Sequence, residues 1–345
     1  VPSEGFKNDV GTFWAWSKRL NDLPLSQFYE EGYFCDYPPA YLYILKFVGW
    51  VTNLLGAGHE SYLGRLCLKA PAILSHFAMV TIFFFWGRRF YPRDQYNAIA
   101  MLALTAAVAF WPAQLNNAAS FGQVDSVFNL LALSVILCLL QKQVYLAAAL
   151  YGALVCFKPH ALFYLPLIGL FSLRDRWLFD WKKVIISFNV LAVTIFAFIF
   201  PFWVGRLDQA FAHYQKTLGS YAYATINAFN FYQLIGYNWR HLNAATILGM
   251  DIYLFFAIIV VTLTLFVGYG MFRSYQRDKK FLNWDNTQVL LAGALYVLAI
   301  FLFAPKMHER YLMPVFPVLM LIFGRHRHTT LSYLIIGFIL AISQD

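Results

Sequence analysis

The sequence predicts an all-α fold: a polytopic membrane bundle of about ten spanning helices, with juxtamembrane and re-entrant helices in its first outer loop. Three observations predict it. Of the 345 residues, 60% are hydrophobic and 19% aromatic, and only 12% are charged, about half the roughly 25% usual in soluble domains. Apolar stretches close to the ~20 residues needed to cross the hydrocarbon recur along most of the chain. Lys and Arg gather in alternate connections between them.

The chain opens at Val1 in polar, Trp-rich sequence, which predicts that a signal or first membrane helix precedes it. Residues 1–68 form the expected outer first loop. Within it, 10–22 places Phe13, Trp16 and Leu20 at helical spacing beside Lys18 and Arg19, as an interfacial amphipathic helix would. Residues 39–56 look like a span, but Lys46 sits in the middle, where a charge is costly. Counting that segment as a crossing would also place Arg88, Arg89 and Arg93 outside, so it is read as re-entrant or interfacial.

The expected bundle occupies 69–345, with spans near 69–87, 96–113, 124–141, 143–157, 160–173, 183–204, 250–272, 286–304, 311–324 and 330–343. Fourteen of the 26 Lys and Arg fall in five connections: Arg88, Arg89 and Arg93; Lys142; Arg174, Arg176, Lys182 and Lys183; Arg273, Arg277, Lys279 and Lys280; Arg325 and Arg327. Those connections total roughly 30 residues, so the positive-inside rule assigns them to the cytoplasm. The opposite face receives the first loop, the turns at 116–123, 158–160 and 306–310, and a long loop, 205–248.

The net charge of +9 does not indicate nucleic acid, because the basic residues lie in short loops instead of clustering on a folded solvated face. Cys35, Cys67, Cys138 and Cys156 show neither CxxC spacing nor nearby His pairs, against a zinc site. Cys35 and Cys67 are the two that could pair.

The outer face holds the unusual chemistry. Asp9 precedes the amphipathic helix, where the helix N-terminus favours a carboxylate; it suits a fixed general base, and equally a plain cap. Asp36-Tyr37-Pro38-Pro39 makes a rigid extended corner aiming a carboxylate and a phenol inward. In Phe121-Gly122-Gln123-Val124-Asp125-Ser126, Gln123 and Asp125 open a membrane helix, and acids at that depth default to functional hypotheses. Phe157-Lys158-Pro159-His160 offers an ammonium and an imidazole suited to a lipid phosphate. Lys306-Met307-His308-Glu309-Arg310-Tyr311 packs four ionisable groups between two spans, and its Arg can grip phosphate with two parallel hydrogen bonds. In the long loop, Arg240-His241 and the run Thr225–Gln233 add donors and aromatic faces of the kind sugars need.

In this order, the acid at Asp9, DYPP (36–39), FGQVDS (121–126), FKPHALFYLPL (157–167), FPF (200–202), NAFNFY (227–232) and HERY (308–311) resemble the GT-C superfamily of membrane glycosyltransferases. The likeness is to bacterial relatives of the GPI mannosyltransferases and, more distantly, to ER glucosyltransferases using dolichyl-phosphate-glucose. Relatives often carry Gln where this chain has His160. The resemblance implies a first helix before Val1, juxtamembrane helices in the outer loop, and a polyprenyl-phosphate-sugar donor.

On that reading Asp9 deprotonates an acceptor hydroxyl, which displaces the lipid phosphate with inversion. Lys158, His160, His308 and Arg310 meet the developing charge, so no metal or other cofactor is needed. Gln123 and Asp125 hold sugar hydroxyls, and Asp36, Tyr37, Glu309 and Arg240 orient or bind substrate. Expected partners are the lipid-linked donor, a glycan, lipid or protein acceptor, and membrane lipids, with no nucleic acid. The expected location is a bacterial plasma membrane, or the ER membrane in a eukaryote, with the site on the extracytoplasmic or luminal face. The rival is a secondary transporter or flippase, which would put its polar groups near the midplane in broken helices and show internal repeats; neither is visible.

Overall fold

The computed structural model describes residues 5, 7–30, 32–90, 98–219, 221–278, 284–313 and 315–323. Its helices are α1 (Lys7–Asp22), α2 (Pro39–Leu54), α3 (Tyr62–Phe90), α4 (Ala98–Ala109), α5 (Pro112–Leu115), α6 (Asp125–Leu140), α7 (Val144–Val155), α8 (Leu165–Arg174), α9 (Trp181–Ile199), α10 (Leu207–Gly219), α11 (Phe231–Leu234), α12 (Ile252–Asp278), α13 (Asn286–Phe303) and α14 (Val315–Phe323). Four two-residue strands lie among them: β1 (Thr225–Ile226), β2 (Thr246–Ile247), β3 (Met250–Asp251) and β4 (Met307–His308). The all-α expectation fits this architecture.

Local signals start the helices. Pro39 occupies the first turn of α2 behind an extended Pro38, where a missing N–H is harmless. Asp180 caps α9 by accepting from the Lys183 N–H. Asp285 and Gln288 form a reciprocal capping box at α13.

The first loop folds onto itself. The apolar stripe of α1, with Val10, Phe13, Trp16 and Leu20 buried, packs against α2 and not against a bilayer surface. Ser17 Oγ donates to the Leu45 carbonyl at 2.8 Å, and Trp16 Nε1 to the Phe34 carbonyl at 3.0 Å. Lys46 is tolerated in apolar α2 because its Nζ donates to the Leu20 carbonyl at 2.6 Å, near the end of α1, where a cation is favoured. Gly49 gives the close approach: a Cβ there would strike the Ser17 and Asn21 side chains.

Among the described residues, four helices are long and apolar enough to cross a membrane: Tyr62–Trp86, Trp181–Phe202, Ile252–Gln276 and Asn286–Phe303. The expected count of ten is not reached on length. Helices α6 and α7, the apolar helices Asp125–Leu140 and Val144–Val155, are shorter; the twelve residues of α7 rise only about 18 Å against a hydrocarbon core of about 30 Å. The span expected at 330–343 lies outside the described residues. Helix α3 begins at Tyr62, ahead of the expected 69, because the turn at Ser61 and Gly64 starts it: Ser61 Oγ accepts from the Gly64 N–H at 2.9 Å. In Trp181–Phe202 no residue of the apolar window is buried inside the protein, and Phe188, Val193 and Phe196 point outward, the arrangement that lipid contact requires. All four cysteines are free thiols, so the Cys35–Cys67 pairing does not form.

Helices α6 and α13 carry long runs of buried residues. Gly293 of α13 lies flush against Leu167 of α8, and a Cβ at 293 would collide with that side chain. Gly293→Val is therefore expected to lower stability by about 1–3 kcal/mol, the usual range for overpacking. The check is thermal unfolding of the detergent-solubilised protein, with Gly169→Val as the control, since a Cβ at Gly169 meets nothing within 4 Å; equal melting temperatures would remove the packing argument.

Candidate active site

The site is built around a buried carboxylate. Asp125, the first residue of α6, is 2% exposed, and an ionised carboxyl at that depth persists only when paired. Lys158 Nζ donates to its Oδ1. Asn117 Nδ2 donates to Oδ2 at 3.1 Å, and Arg310 Nε lies 3.6 Å from the same oxygen. The three partners come from distant segments. Lys158 sits in the turn after α7, held extended ahead of Pro159 (φ −151°, ψ 141°). Asn117 lies in a π-helical turn over Asn116–Phe121, and Arg310 in the 3₁₀ turn that follows β4.

Asp9 stands beside this cluster in the first turn of α1. Gln123 Nε2 donates to its Oδ2 at 2.5 Å, and Gln123 is buried. The amide is aimed by its backbone, whose N–H donates to the Asn117 carbonyl at 2.9 Å after Gly122 turns through the left-handed region (φ 75°). Burial pushes the Asp9 carboxyl above the usual range, and the Arg310 and Lys158 charges pull the other way. Both cations thus act on Asp9, so the opening segment and the HERY turn meet at one end of the bundle.

Asp36, Tyr37, Lys158, His160, His308 and Arg310 line one cavity of about 310 Å³. Leu162, Phe163, Tyr253 and Phe256 supply apolar wall. Asp36 accepts from the Tyr221 hydroxyl at 3.2 Å, and burial raises its carboxyl. Tyr37 packs edge-on to Phe13, with ring centres 5.8 Å apart, and Lys158 Nζ sits 5.3 Å from its ring centre. His160 is stacked on Tyr311 at 4.3 Å and lies 4.0 Å from Phe128.

The imidazoles differ from expectation. Burial first, then the neighbouring cations, lower both: His160 falls well below the usual histidine range under the Lys158 charge, and His308 to about 3 beside Arg310. At neutral pH both rings are uncharged, so the expected cationic role rests on Lys158 and Arg310. Glu309 accepts from Arg310 Nη1 at 3.1 Å, orienting the guanidinium. Arg310 Nε itself is buried without a hydrogen-bond partner.

The long loop reaches the site through its backbone. Strand β1 pairs in parallel with β4, Thr225 with Met307 and Ile226 with His308. The Lys306 N–H donates to the Ala224 carbonyl at 3.0 Å, and the Tyr232 hydroxyl to the Phe303 carbonyl at 2.7 Å. The polar run Thr225–Gln233 pins the loop, with Asn230 capping α11 and Asn227 bonding Asn238 and Trp239, while the Phe229 ring stays exposed. Arg240 is not brought to the cavity. Its guanidinium lies over Tyr237 at 4.4 Å and donates to the Ala244 carbonyl at 2.8 Å, bracing the loop.

Sequence reasoning missed Lys69, Asn117 and Tyr221. Lys69 is fully buried in α3, and its Nζ donates to the Ala119 and Ser120 carbonyls, both at 2.9 Å, fixing the turn that presents Gln123. A lysine within an apolar span was the available signal. Nothing local marks Asn117 or Tyr221, whose roles arise from tertiary contact.

No protein-family profile matches the chain. It is similar to the dolichyl pyrophosphate Man9GlcNAc2 alpha-1,3-glucosyltransferase of Saccharomyces cerevisiae, 28% identical over 202 residues, which is 53% of this chain and 35% of that relative. The chain thus spans little more than a third of the relative's length, and the similarity is to a glucosyltransferase and not to the mannosyltransferases that the motifs also resemble.

Proposed function

We propose that this protein is a membrane glycosyltransferase that moves a hexose from a polyprenyl-phosphate carrier to an acceptor hydroxyl, with inversion and without a metal ion. The observation that supports it is the convergence of a carboxylate raised by burial, Asp9, with two cations, Lys158 and Arg310, beside a cavity walled by aromatic and apolar side chains. Similarity to the yeast enzyme favours glucose as the hexose and a lipid-linked glycan as the acceptor. The positive-inside pattern of the basic connections supports a site on the extracytoplasmic or luminal face.

Asp9 takes the proton of the acceptor hydroxyl, and its raised affinity for protons makes it a better base than a solvated carboxylate. The acceptor oxygen bonds to the anomeric carbon as the bond from that carbon to the phosphate oxygen breaks, and the electron pair leaves on the polyprenyl phosphate. Lys158 and Arg310 meet that charge. Because Asp125 already engages both cations, they are held in place before the phosphate arrives. His160 and His308, uncharged, serve as donors to sugar or phosphate oxygens, and the prenyl chain lies along the apolar wall at Leu162, Phe163 and Phe256.

A second assignment of the base has its own observation: Asp36 lines the cavity, whereas Asp9 flanks it. Asp9→Asn is expected to lower kcat by about a hundredfold or more, as loss of a general base does, and Asp36→Asn to lower it far less. The reverse order, measured as hexose release from a polyprenyl-phosphate donor, moves the base to Asp36; full activity of both variants would remove both carboxylates as the base, and no hexose release by the wild type would end the enzyme reading. Folding buries Asp9 and strengthens its hold on a proton, so the stability it contributes is present at low pH and lost as pH rises through its raised native value. Asp9→Asn should therefore melt no lower than wild type at neutral pH.

Arg310→Ala should weaken use of the donor by about 2–5 kcal/mol in kcat/KM, the range for truncating one partner of a buried charge pair. Unchanged donor dependence would remove the phosphate role. In the pH profile, kcat/KM should fall on the acid side at a value above the ordinary carboxylate range near 4. No limb is expected from His308 between pH 5 and 8, since that ring titrates at about 3. An acid limb that survives in Asp9→Asn would belong to another group.

A further inference from the structure

Away from the catalytic cavity, α1 and α2 enclose a second cleft. It has a volume of about 450 Å³ and shares no residue with the first. Trp14, Lys18 and Asp22 line it from α1, spaced four apart and hence on one helix face. Asn53 lines it from α2, and His59 from the following turn. Trp14 plays no part in the α1–α2 core, which uses Val10, Phe13, Trp16 and Leu20. Its indole is half-buried, tilted against the His59 ring with centres 5.4 Å apart. The rim stays open because a Cβ at Gly56 or Gly58 would meet nothing within 4 Å. His59 also borders an adjoining polar recess of about 210 Å³, formed with Lys7, Glu60 and Arg65 at the start of α1. The two together make a trough along α1, which carries Asp9 on its opposite face about 7.5 Å along the axis from Trp14.

The chemistry of this trough selects a ligand class. Each part is lined by both signs of charge, Lys18 and Asp22 in one, and Lys7, Arg65 and Glu60 in the other, where Glu60 is paired with His59 at 3.0 Å. Phosphate, an acidic polymer or a cation would each meet repulsion from one member. A neutral ligand rich in hydroxyls can use donors and acceptors alike, and a hexose ring has in addition an apolar face to lay on an indole. A short lipid tail or apolar peptide would leave the ammonium, carboxylate and amide groups desolvated without partners.

We propose that the cleft between α1 and α2 binds a neutral oligosaccharide, namely the part of the acceptor glycan remote from the hydroxyl that reacts. Its place as an acceptor subsite rests on the glycosyltransferase reading; its binding of saccharide does not. Contacts to remote sugars would hold the acceptor by binding energy gained away from the reacting bond, with the glycan passing around the first turn of α1 toward Asp9.

The test is saturation-transfer NMR on the full-length protein in detergent, with maltotetraose and mannotetraose as probes. Wild type and Asp9→Asn are expected to transfer saturation to one of the tetraoses. Trp14→Ala should lower its affinity about tenfold, equivalent to about 1.4 kcal/mol, Asn53→Ala should lower it less, and Trp14→Phe should restore most of it. The two asparagine and phenylalanine comparisons keep the test decisive if Trp14→Ala folds poorly. Absence of transfer to both tetraoses in wild type, or equal affinity in wild type, Trp14→Ala and Asn53→Ala, overturns the proposal. Trp14-dependent binding in a protein that transfers no hexose would uphold the saccharide site and remove only the transferase reading.

Discussion

The structure depends on keeping Asp125 ionised inside a low-dielectric bundle. A buried carboxylate without partners costs several kcal/mol, so α6 can begin at Asp125 only if Lys158, Arg310 and Asn117 all arrive. That requirement couples the turn after α7, the turn after β4 and the π-helical turn before α6. The coupling extends outward: β4 carries β1 by parallel pairing, and β1 anchors the long outer loop. One electrostatic demand thus brings together most of the segments that line the cavity.

Asp9 depends on a different kind of support. It sits on α1, which needs a rigid mount if its carboxylate is to be placed usefully. The mount is the α1–α2 pair, whose apolar faces meet each other and whose polar exceptions are satisfied internally, Lys46 by the Leu20 carbonyl and Ser17 by the Leu45 carbonyl. The first outer loop is therefore a folded platform, and Gln123, set by Lys69 and Gly122, joins Asp9 to the bundle by a hydrogen bond, as the Ala40 N–H does for α2 through the Cys156 carbonyl.

Much of this was legible in the sequence, for a physical reason. Ionisable groups are rare in apolar sequence because they are costly there, so Gln123, Asp125, Lys158 and Arg310 stood out against their surroundings, and Pro38 and Pro39 announced the start of α2. Features that depend on two distant segments meeting left no local trace. The pairing of β1 with β4 involves two residues on each side, and the bond between Tyr221 and Asp36 spans 185 positions. Arg240 was misplaced because an exposed loop arginine looks the same whether it faces a substrate or braces its own turn. The charge of His160 and His308 was not legible for a related cause: protonation follows burial and neighbours, which exist only after folding. Span number was less legible, because an apolar stretch in sequence does not show where a helix ends: among the described residues α6 and α7 are apolar but fall short of the length of a full crossing.

Two acids of the site, Asp9 and Asp125, have opposite surroundings, and the contrast argues for separate roles. Asp125 has both oxygens engaged by a cation or an amide donor, the arrangement of a counter-charge that holds Lys158 and Arg310 in position. Asp9 receives one amide hydrogen bond, on Oδ2, and burial makes its carboxyl more basic than usual. Environments that push two carboxyl groups apart in this way are how an active site divides electrostatic support from proton transfer. The same cations that lower the affinity of Asp9 for a proton also stand where a departing phosphate would need them, so binding of that anion would shield their charge and make Asp9 more basic still, at the moment an acceptor hydroxyl has to be deprotonated.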